Sequence, residues 1–211
     1  MGFSKNLLQS LSLASCIYVA SYSASFADFF KDVSKLPSGN YVIEKSHASL
    51  TFKVSHMGLS FYTARFTDIT ADLALNTKDV EKSTLTADVK IKSVKTDYPF
   101  PKKENFDEEI GEKFFEVDKY PLAKFVATKI VKTGANTGVV TGDLTMHGVT
   151  KPVNFDVTFN GGFDSHPYTK TPAVGFSGKA KIKRSQWGME AYLPHVGDEV
   201  ELLLELEFVK K

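Results

Sequence analysis

The sequence predicts an all-β fold of eight antiparallel strands, with a short helical insertion between strands 3 and 4. Apolar and polar residues alternate along almost the whole chain after residue 40, which is typical of strands with one buried and one solvated face. Short turn-forming segments, such as His147-Gly148, separate these runs and predict reversals of the chain. One stretch, between Tyr98 and Tyr120, lacks the alternation and has the spacing of a helix.

The alternating runs define the strands. In the first run Leu50, Phe52 and Val54 share one face, and in the last run Leu202 and Leu204 do so. We predict strands over residues 41–57, 61–75, 82–95, 122–133, 137–147, 149–160, 173–184 and 199–209. Hairpin-linked strands with one apolar face fit a sandwich or a closed barrel, and closure has the advantage of removing edge strands. An eight-stranded barrel is wide enough either to fill itself with side chains or to hold one small ligand.

The helical segment is short and amphipathic. Asn105 can cap a helix, and the acidic residues 107–109 suit the positive end of the helix dipole. Phe106, Ile110 and Phe114 are four residues apart and form one apolar stripe. A helix of this length needs tertiary support, so we expect the stripe to lie on an apolar part of the β structure.

Composition excludes several classes of protein. The 26 basic and 25 acidic residues give a net charge of +1, so a general nucleic-acid-binding role is not expected. The single cysteine, Cys16, excludes a disulfide framework and cysteine-built metal centres. No two of the five histidines have the i,i+4 spacing of a helical zinc motif. We therefore expect neither a metal nor a cofactor.

The first 27 residues resemble a secretory signal peptide. Lys5 is followed by a stretch of apolar and small residues that ends in Ser25-Phe26-Ala27, a sequence that a signal peptidase accepts. We expect cleavage after Ala27, which leaves residues 28–211 as one exported domain without cysteine.

Two alternatives concern the same segment. Leu13-Ala14-Ser15-Cys16 resembles the lipobox of bacterial lipoproteins, in which the cysteine is acylated, but the residues after Cys16 continue the apolar run instead of forming a polar tether. A stable membrane anchor is not expected either, because Gln9 and several serines weaken a stretch that would need about 20 predominantly apolar residues.

No complete catalytic motif occurs in the sequence. Gly175-Phe176-Ser177-Gly178-Lys179 has neither the spacing of a nucleophile elbow nor the complete pattern of a phosphate-binding loop. The acidic residues 107–109 are neighbours on a helix and do not face one another, so they indicate a solvated helix start. We expect a protein that is not an enzyme. The apolar faces indicate a Phe-rich interior, and the residues alone leave open whether it is packed or hollow.

Several motifs occur in an order and spacing that resemble a known family. They include Tyr41-Val42-Ile43-Glu44, Phe52-Lys53-Val54-Ser55-His56, Gly142-Asp143-Leu144-Thr145-Met146-His147-Gly148-Val149-Thr150-Lys151-Pro152 and Arg184-Ser185-Gln186-Trp187-Gly188. From about Tyr41 to Phe208, the chain resembles the YceI-like family of bacterial periplasmic proteins, which are described as polyisoprenoid-binding and lipocalin-like. Glu44 departs from the Asp that is common in the family.

The resemblance implies an eight-stranded antiparallel lipocalin-like barrel that encloses a hydrophobic channel. It also implies a periplasmic carrier that sequesters a long-chain isoprenoid or a similar amphiphilic lipid with its tail inside the channel. The residues then expected to face the ligand are Phe52, Val54, Val89, Ile91, Phe155, Val157, Phe159, Phe176, Leu202, Leu204 and Leu206. His56 and Arg184 are candidate donors to a polar head group, and a structural role for Arg184, stacked on Trp187, is the favoured alternative.

Two other functions stay open. A hydrolase or isomerase could act on such a lipid through His47, His56 or Arg184. A stress-related interaction module with a filled barrel is the other. The expected partner is the lipid itself, and a homodimer is left open.

Overall fold

The computed structural model describes residues 28–211, and the expected signal peptide at residues 1–27 lies outside them. Within this range the chain forms eleven strand segments and one α-helix. In chain order these are β1 (Phe29–Phe30), β2 (Gly39–His56), β3 (Ser60–Phe66), β4 (Ile69–Leu75), β5 (Thr84–Lys90), β6 (Val94–Lys95), α1 (Phe106–Lys113), β7 (Leu122–Lys132), β8 (Thr137–Met146), β9 (Val149–Phe163), β10 (Ala173–Lys183) and β11 (Val196–Lys210). Among the described residues, no helix is long and apolar enough to cross a membrane.

Eight of the strands close into an antiparallel barrel, in the order β2, β4, β5, β7, β8, β9, β10 and β11. The seam is the pairing of β11 with β2, which runs from Val196 opposite His56 to Lys210 opposite Tyr41. We call the end of the barrel at His56 the upper end and the end at Tyr41 the lower end. The predicted closed barrel is confirmed, and the alternative of a sandwich is excluded.

The prediction of one strand over residues 61–75 is wrong. The chain breaks at Thr67 and Asp68 into β3 and β4, which pair with the upper and lower parts of β2 respectively. The hydroxyl oxygen of Ser93 fixes the break, because it accepts the backbone N–H groups of Thr67 and Asp68 at 3.2 and 3.0 Å. Buried positions change from even numbers in β3 to odd numbers in β4, and this change of phase is the sequence signal of the break.

The predicted strand over residues 82–95 is also interrupted. β5 ends at Lys90, and a 3-10 turn over Ile91–Ser93 precedes β6. The backbone N–H of Ile91 donates to the carbonyl of Pro121 at 2.9 Å. The five strands from β7 to β11 agree with the predicted bounds within three residues, while β1, which pairs with the end of β9, adds to the predicted set.

The predicted helix is confirmed as α1. The Asn105 side chain accepts the backbone N–H of Glu108 at 3.4 Å and so caps the helix. Asp107 ties α1 to the barrel, because its carboxylate accepts the backbone N–H and the hydroxyl of Thr96 at 2.7 and 2.6 Å and lies 3.0 Å from the Lys95 ammonium. Burial raises the pKa of Asp107, but the hydrogen bonds from Thr96 and Lys95 outweigh it and hold the pKa below its usual value.

Two of the sequence motifs brace the upper half of the barrel. Arg184–Trp187 forms a 3-10 turn after β10, and the buried Trp187 indole N–H donates to the carbonyl of Leu144 in β8 at 3.1 Å. His147 and Gly148, with φ of 51° and 74°, form the two-residue turn between β8 and β9. The turn predicted from the His147-Gly148 dipeptide is therefore confirmed.

Candidate ligand-binding site

The barrel encloses an apolar cavity of about 260 Å³, which we call the barrel cavity. Inward-facing side chains of all eight barrel strands contribute to its wall, and the contribution of β2 is Leu50. Lys132, Asn136 and Thr137 border the cavity at the lower end. The volume lies close to the lower end of the range of about 300–1,000 Å³ that is typical of small-molecule sites. The interior is hollow, which weighs against the interaction module with a filled barrel.

A second cavity of about 520 Å³ lies between α1 and the upper part of the barrel, and we call it the helix cavity. The α1 stripe of Phe106, Ile110 and Phe114 forms one wall, so the expectation that this stripe covers an apolar surface is confirmed. The wall is mainly aromatic and aliphatic. Polar side chains are interspersed in it, namely those of His56, Ser60, Tyr62, Tyr98, Glu109, Arg184 and Tyr192.

The two cavities adjoin one another. Four apolar side chains, those of Phe66, Met146, Ile182 and Leu202, line both. These residues lie between the middle and the upper end of the barrel, so the cavities follow each other along the barrel axis. The arrangement provides an apolar compartment inside the barrel and a compartment with several polar groups under α1.

The residues predicted to face a ligand all lie on the cavity walls. Those of the barrel cavity are Val89, Ile91, Phe155, Val157, Phe159, Phe176, Leu204 and Leu206. Those of the helix cavity are Phe52, Val54, His56 and Arg184, and Leu202 lines both cavities. The strand alternation accounts for the inward placement of those that lie on strands, whereas Ile91 and Arg184 lie in 3-10 turns. Contact of these residues with a ligand stays a prediction.

Arg184 is a buried guanidinium that supports the upper end of the barrel. Its Nε, Nη1 and Nη2 groups donate to the carbonyls of Gly197, Met189 and Val196 at 2.8, 2.6 and 2.8 Å. Its Cζ lies 5.8 Å from the centre of the Phe114 ring, so the expected aromatic stacking occurs on a residue that follows α1 and not on Trp187.

The Arg184 guanidinium stays cationic although it is buried. Burial lowers the pKa of Arg184, and the negative charge of Asp198 opposes that effect. Asp198 itself accepts the backbone N–H and the hydroxyl of Ser185 at 2.8 and 2.9 Å. Burial raises the pKa of Asp198, but these hydrogen bonds and the charges of Arg184 and Lys183 bring it below its usual value. An arginine keeps its proton throughout the physiological range.

Three tyrosines of the helix cavity were not among the predicted site residues. Tyr62 lies on β3, while Tyr98 and Tyr192 lie outside the strands and α1, where no period assigns a face. Burial raises the pKa of Tyr62, although its hydrogen bond to the Thr96 carbonyl opposes the rise. Its phenol therefore stays neutral and can donate or accept a hydrogen bond. The alternation of Tyr62 with the outward-facing Phe61 is the sequence signal that could have identified Tyr62 as an inward-facing residue.

The three residues named for an alternative enzyme are not brought together. His47 lines neither cavity, and its Nδ1 lies 3.8 Å from Glu207 on the outside of the barrel. It is nine residues from His56 along β2, which corresponds to roughly 30 Å of extended strand. His56 and Arg184 do share the helix cavity. Among residues 28–211, no group of three or more His, Cys, Asp and Glu side chains could hold a metal ion.

Similar curated proteins include several from pseudomonads. A UPF0312 protein of Pseudomonas savastanoi pv. phaseolicola is 36% identical over 178 residues, which covers 82% of this chain and 88% of the relative. A UPF0312 protein of Pseudomonas putida strain F1 is 41% identical over 127 residues, which covers 59% of this chain and 64% of the relative.

Solved structures share the fold. The YCEI protein of Campylobacter jejuni is 28% identical, with a TM-score of 0.65, and the match covers 75% of this chain and 91% of that one. Burkholderia cenocepacia BcnA matches with a TM-score of 0.66 at 19% identity, covering 78% of this chain and 98% of that one. A polyisoprenoid binding domain from Saccharophagus degradans matches with a TM-score of 0.60 at 15% identity, covering 81% and 98%. At 19% and 15% identity the likeness concerns the fold alone.

The family model settles the assignment. The model of the YceI-like domain matches residues 41–208, which include every barrel strand at least in part and α1. The same residues enclose both cavities almost completely. This chain is a member of the YceI-like domain family.

Proposed function

We propose that the protein is a carrier for a long-chain isoprenoid or a similar amphiphilic lipid. The observation that supports this most strongly is the adjoining pair of cavities, one apolar within the barrel and one with polar groups beneath α1. In the proposed complex the tail occupies the barrel cavity and the head group occupies the helix cavity. The fold is shared with a Saccharophagus degradans domain that is described as polyisoprenoid binding, which is consistent with this ligand class.

Burial of the tail supplies the binding free energy in this proposal. Removing apolar surface from water contributes about 25 cal/mol per Å², and the side chains expected around the tail are Val89, Phe155, Val157 and Leu204. An isoprenoid tail has no polar group that would require a partner in this cavity. With the head group in the helix cavity, a tail of several isoprene units would pass the residues that line both cavities and enter the barrel cavity.

The helix cavity offers donors to a polar head group. Three of the five N–H groups of Arg184 donate to backbone carbonyls, and the other two have no acceptor among residues 28–211. His56, Tyr62 and Tyr192 add hydrogen-bonding groups on the same cavity wall. A phosphate or a quinone carbonyl would match this set, because both accept hydrogen bonds.

We also propose that this carrier works in the periplasm. The support is the pattern of residues 1–27, with Lys5, the apolar stretch and Ser25-Phe26-Ala27. When the full-length sequence is expressed, the protein should be recovered from the periplasmic fraction with the intact mass of residues 28–211. A mass that includes acyl chains on Cys16 would contradict cleavage after Ala27 and would show that the protein is a lipoprotein.

Mass spectrometry tests the ligand directly. Protein purified without detergent is measured under native conditions, then denatured and extracted so that any released lipid is identified. We expect a stoichiometric isoprenoid-type ligand, and we expect added isoprenoids to bind to emptied protein without being consumed. A protein that is always empty and does not respond to isoprenoids would contradict the proposal, and turnover of the lipid would favour the enzyme.

A further inference from the structure

Residues 28–36 precede the barrel strands, and we call this segment the N-terminal strap. It begins with β1, which pairs with Gly162 and Phe163 beyond the part of β9 that pairs with β8. A 3-10 turn over Val33–Lys35 follows, and Leu36 after it is buried, with 4% of its surface exposed. The strap is therefore attached at both of its ends, and the 3-10 turn lies between the two attachments.

The 3-10 turn of the strap borders the barrel cavity. Val33 is partly buried, lines the cavity and packs against the core cluster of the lower end, which includes Leu75 and Phe159. Val80, in the connection after β4, and Ala135, in the connection after β7, line the cavity at the same end. Three segments that are distant in sequence therefore meet at the lower end of the cavity.

A few polar contacts connect these segments. The Asn136 side chain, with its amide oriented so that both of its polar groups have partners, donates to the carbonyl of Lys31 at 2.9 Å. The Lys31 ammonium donates to the carbonyl of Asn160 at 2.6 Å, and the backbone N–H of Lys132 donates to the Glu81 carboxylate at 3.0 Å. None of these contacts belongs to the pairing of the eight barrel strands, so the strap can be released without opening the barrel.

Two glycines of β9 allow the strap to approach the sheet closely. Asn160-Gly161-Gly162 has the composition of a turn but lies inside β9. A Cβ on Gly161 would collide with the Phe29 ring, and a Cβ on Gly162 would lie 2.7 Å from the Leu36 side chain. Gly161 also has φ of 134°, which side chains rarely permit. The glycine pair therefore serves both attachments of the strap, and we call it the glycine seat.

We propose that the N-terminal strap closes the lower end of the barrel cavity and so limits the length of the lipid tail that the barrel accepts. The limit on tail length rests on the proposed function, because a tail that enters from the helix cavity would end against Val33. The closure itself holds for any ligand. Release of the strap would let a longer tail extend beyond the lower end.

Thiol labelling tests the closure without any ligand. Cys16 is the only cysteine of the chain, so a label on a thiol introduced after it is assigned by peptide mass. Leu75→Cys places a thiol on the barrel cavity at the lower end, and Val54→Cys places one on the helix cavity. Phe29→Ser removes the ring from the glycine seat and should speed labelling at position 75 about tenfold or more, with no change at position 54.

A second variant separates release of the strap from general loosening of the barrel. Gly161→Ala should also speed labelling at position 75, because its Cβ displaces the Phe29 ring. Gly175→Ala is the matched control, since Gly175 pairs with Gly161 across β10 and β9 and has no close neighbour. Unchanged labelling in both strap variants would overturn the closure. Equal acceleration at positions 75 and 54 in both would also overturn it, because the whole barrel would then open.

A series of isoprenoid chain lengths tests the limit on the tail by native mass spectrometry. Val33→Trp should weaken binding of the longest chain that the wild type accepts by about tenfold or more and leave short chains unaffected, because the indole fills the lower end of the cavity. Lys35→Trp, at an exposed position of the same turn, is the control and should bind like the wild type. Phe29→Ser should admit chains that are too long for the wild type.

The outcomes distinguish this inference from the proposed function. A wild type that binds no isoprenoid of any length would contradict the carrier, while the labelling rates would still decide the closure. A wild type that binds isoprenoids, with the same preference for chain length in Val33→Trp and Phe29→Ser, would leave the carrier standing and overturn the limit on tail length.

Discussion

Arg184 illustrates how one side chain can combine support and recognition. Its planar fork reaches three carbonyls on the chain between Met189 and Gly197, and it lies against Phe114 after α1. It therefore connects the end of β10, the start of β11 and the cover of the helix cavity. A head-group role would add to this structural role and would use the donors that remain.

We expect Arg184→Lys to lower the free energy of unfolding by about 2 kcal/mol, because an ammonium cannot reproduce the three-way fork and leaves buried carbonyls without donors. Urea denaturation measures the change. Arg65→Lys, at an exposed position of β3, is the matched control and should change stability little. Unchanged stability of Arg184→Lys would show that the guanidinium bonds are replaceable and that the residue acts through its charge alone.

Gly142 is one of the motif residues, and a glycine is needed there because of limited space and not because of backbone conformation. A Cβ at this inward position of β8 would lie 2.6 Å from the Val126 carbonyl oxygen and closer still to the Phe125 ring. Phe125 borders the barrel cavity. The glycine therefore provides the space that this ring occupies beside the cavity.

We predict that Gly142→Val destabilises the protein by about 1–3 kcal/mol through overpacking, since the backbone of β7 cannot move away without disrupting the barrel. Thermal and urea unfolding measure this loss. Gly175→Ala is the control, because the nearest atom to its Cβ would be 3.8 Å away, an ordinary contact. If both variants unfold alike, the close approach of Phe125 has no energetic consequence.

At the scale of elements, α1 is the part of the fold that depends most on polar contacts. Its apolar stripe covers the helix cavity, and Asp107 fastens its first turn to Thr96 and Lys95. An eight-residue helix is too short to persist alone, so these contacts decide whether the cavity stays covered.

The fastening of α1 should depend on pH. Because the folded protein lowers the pKa of Asp107, its contribution is complete at neutral pH and is lost as the pH falls below about 4, through the lowered folded value. Asp107→Asn should reduce stability at pH 7 by about 1 kcal/mol, and the difference from the wild type should vanish in acid. Hydrogen exchange of α1 as a function of pH measures this.

Glu112→Gln, at an exposed position of the same helix, serves as the control and should follow the wild-type profile. An Asp107→Asn protein whose stability differs from the wild type by the same amount at every pH would contradict the role of the ionised carboxylate.

At the scale of the whole molecule, closure of the barrel makes the inward faces of eight alternating strands enclose one interior. The pairing of β11 with β2 removes both sheet edges, and the inward faces then have no partner except each other and the space between them. The connection between the two cavities depends on residues such as Leu202, which lines both.

Leu202→Trp should narrow this connection. We expect a loss of long-chain isoprenoid binding of about tenfold or more, with short-chain compounds affected much less, because only a long tail must pass the narrowed segment. Native mass spectrometry with a series of chain lengths measures the effect. Leu203→Trp is the control, since Leu203 is the next residue on β11 and is 38% exposed on the outside. Equal loss for all chain lengths would place the tail elsewhere.

The sequence alone determined the all-β class, six of the eight strands with bounds within three residues, the α1 stripe and the inward face of the apolar site residues that lie on strands. It could do so because strand alternation and helix spacing are local properties of the chain. The division of the predicted strand at Thr67 and Asp68 was missed, although the change from even to odd apolar positions after Phe66 indicates it in the sequence. The hydrogen bonds to Ser93 that fix the break involve a residue distant in sequence.

Only the tertiary structure decided that the interior is hollow, that a second cavity lies beneath α1, and that Arg184 stacks on Phe114. Each of these depends on distances between residues far apart in the chain. Tyr98 and Tyr192 entered the cavity wall for the same reason, since no period assigns a face to a residue outside the strands and α1. The volume left between packed side chains is a property of their joint arrangement, and no single segment of sequence contains it.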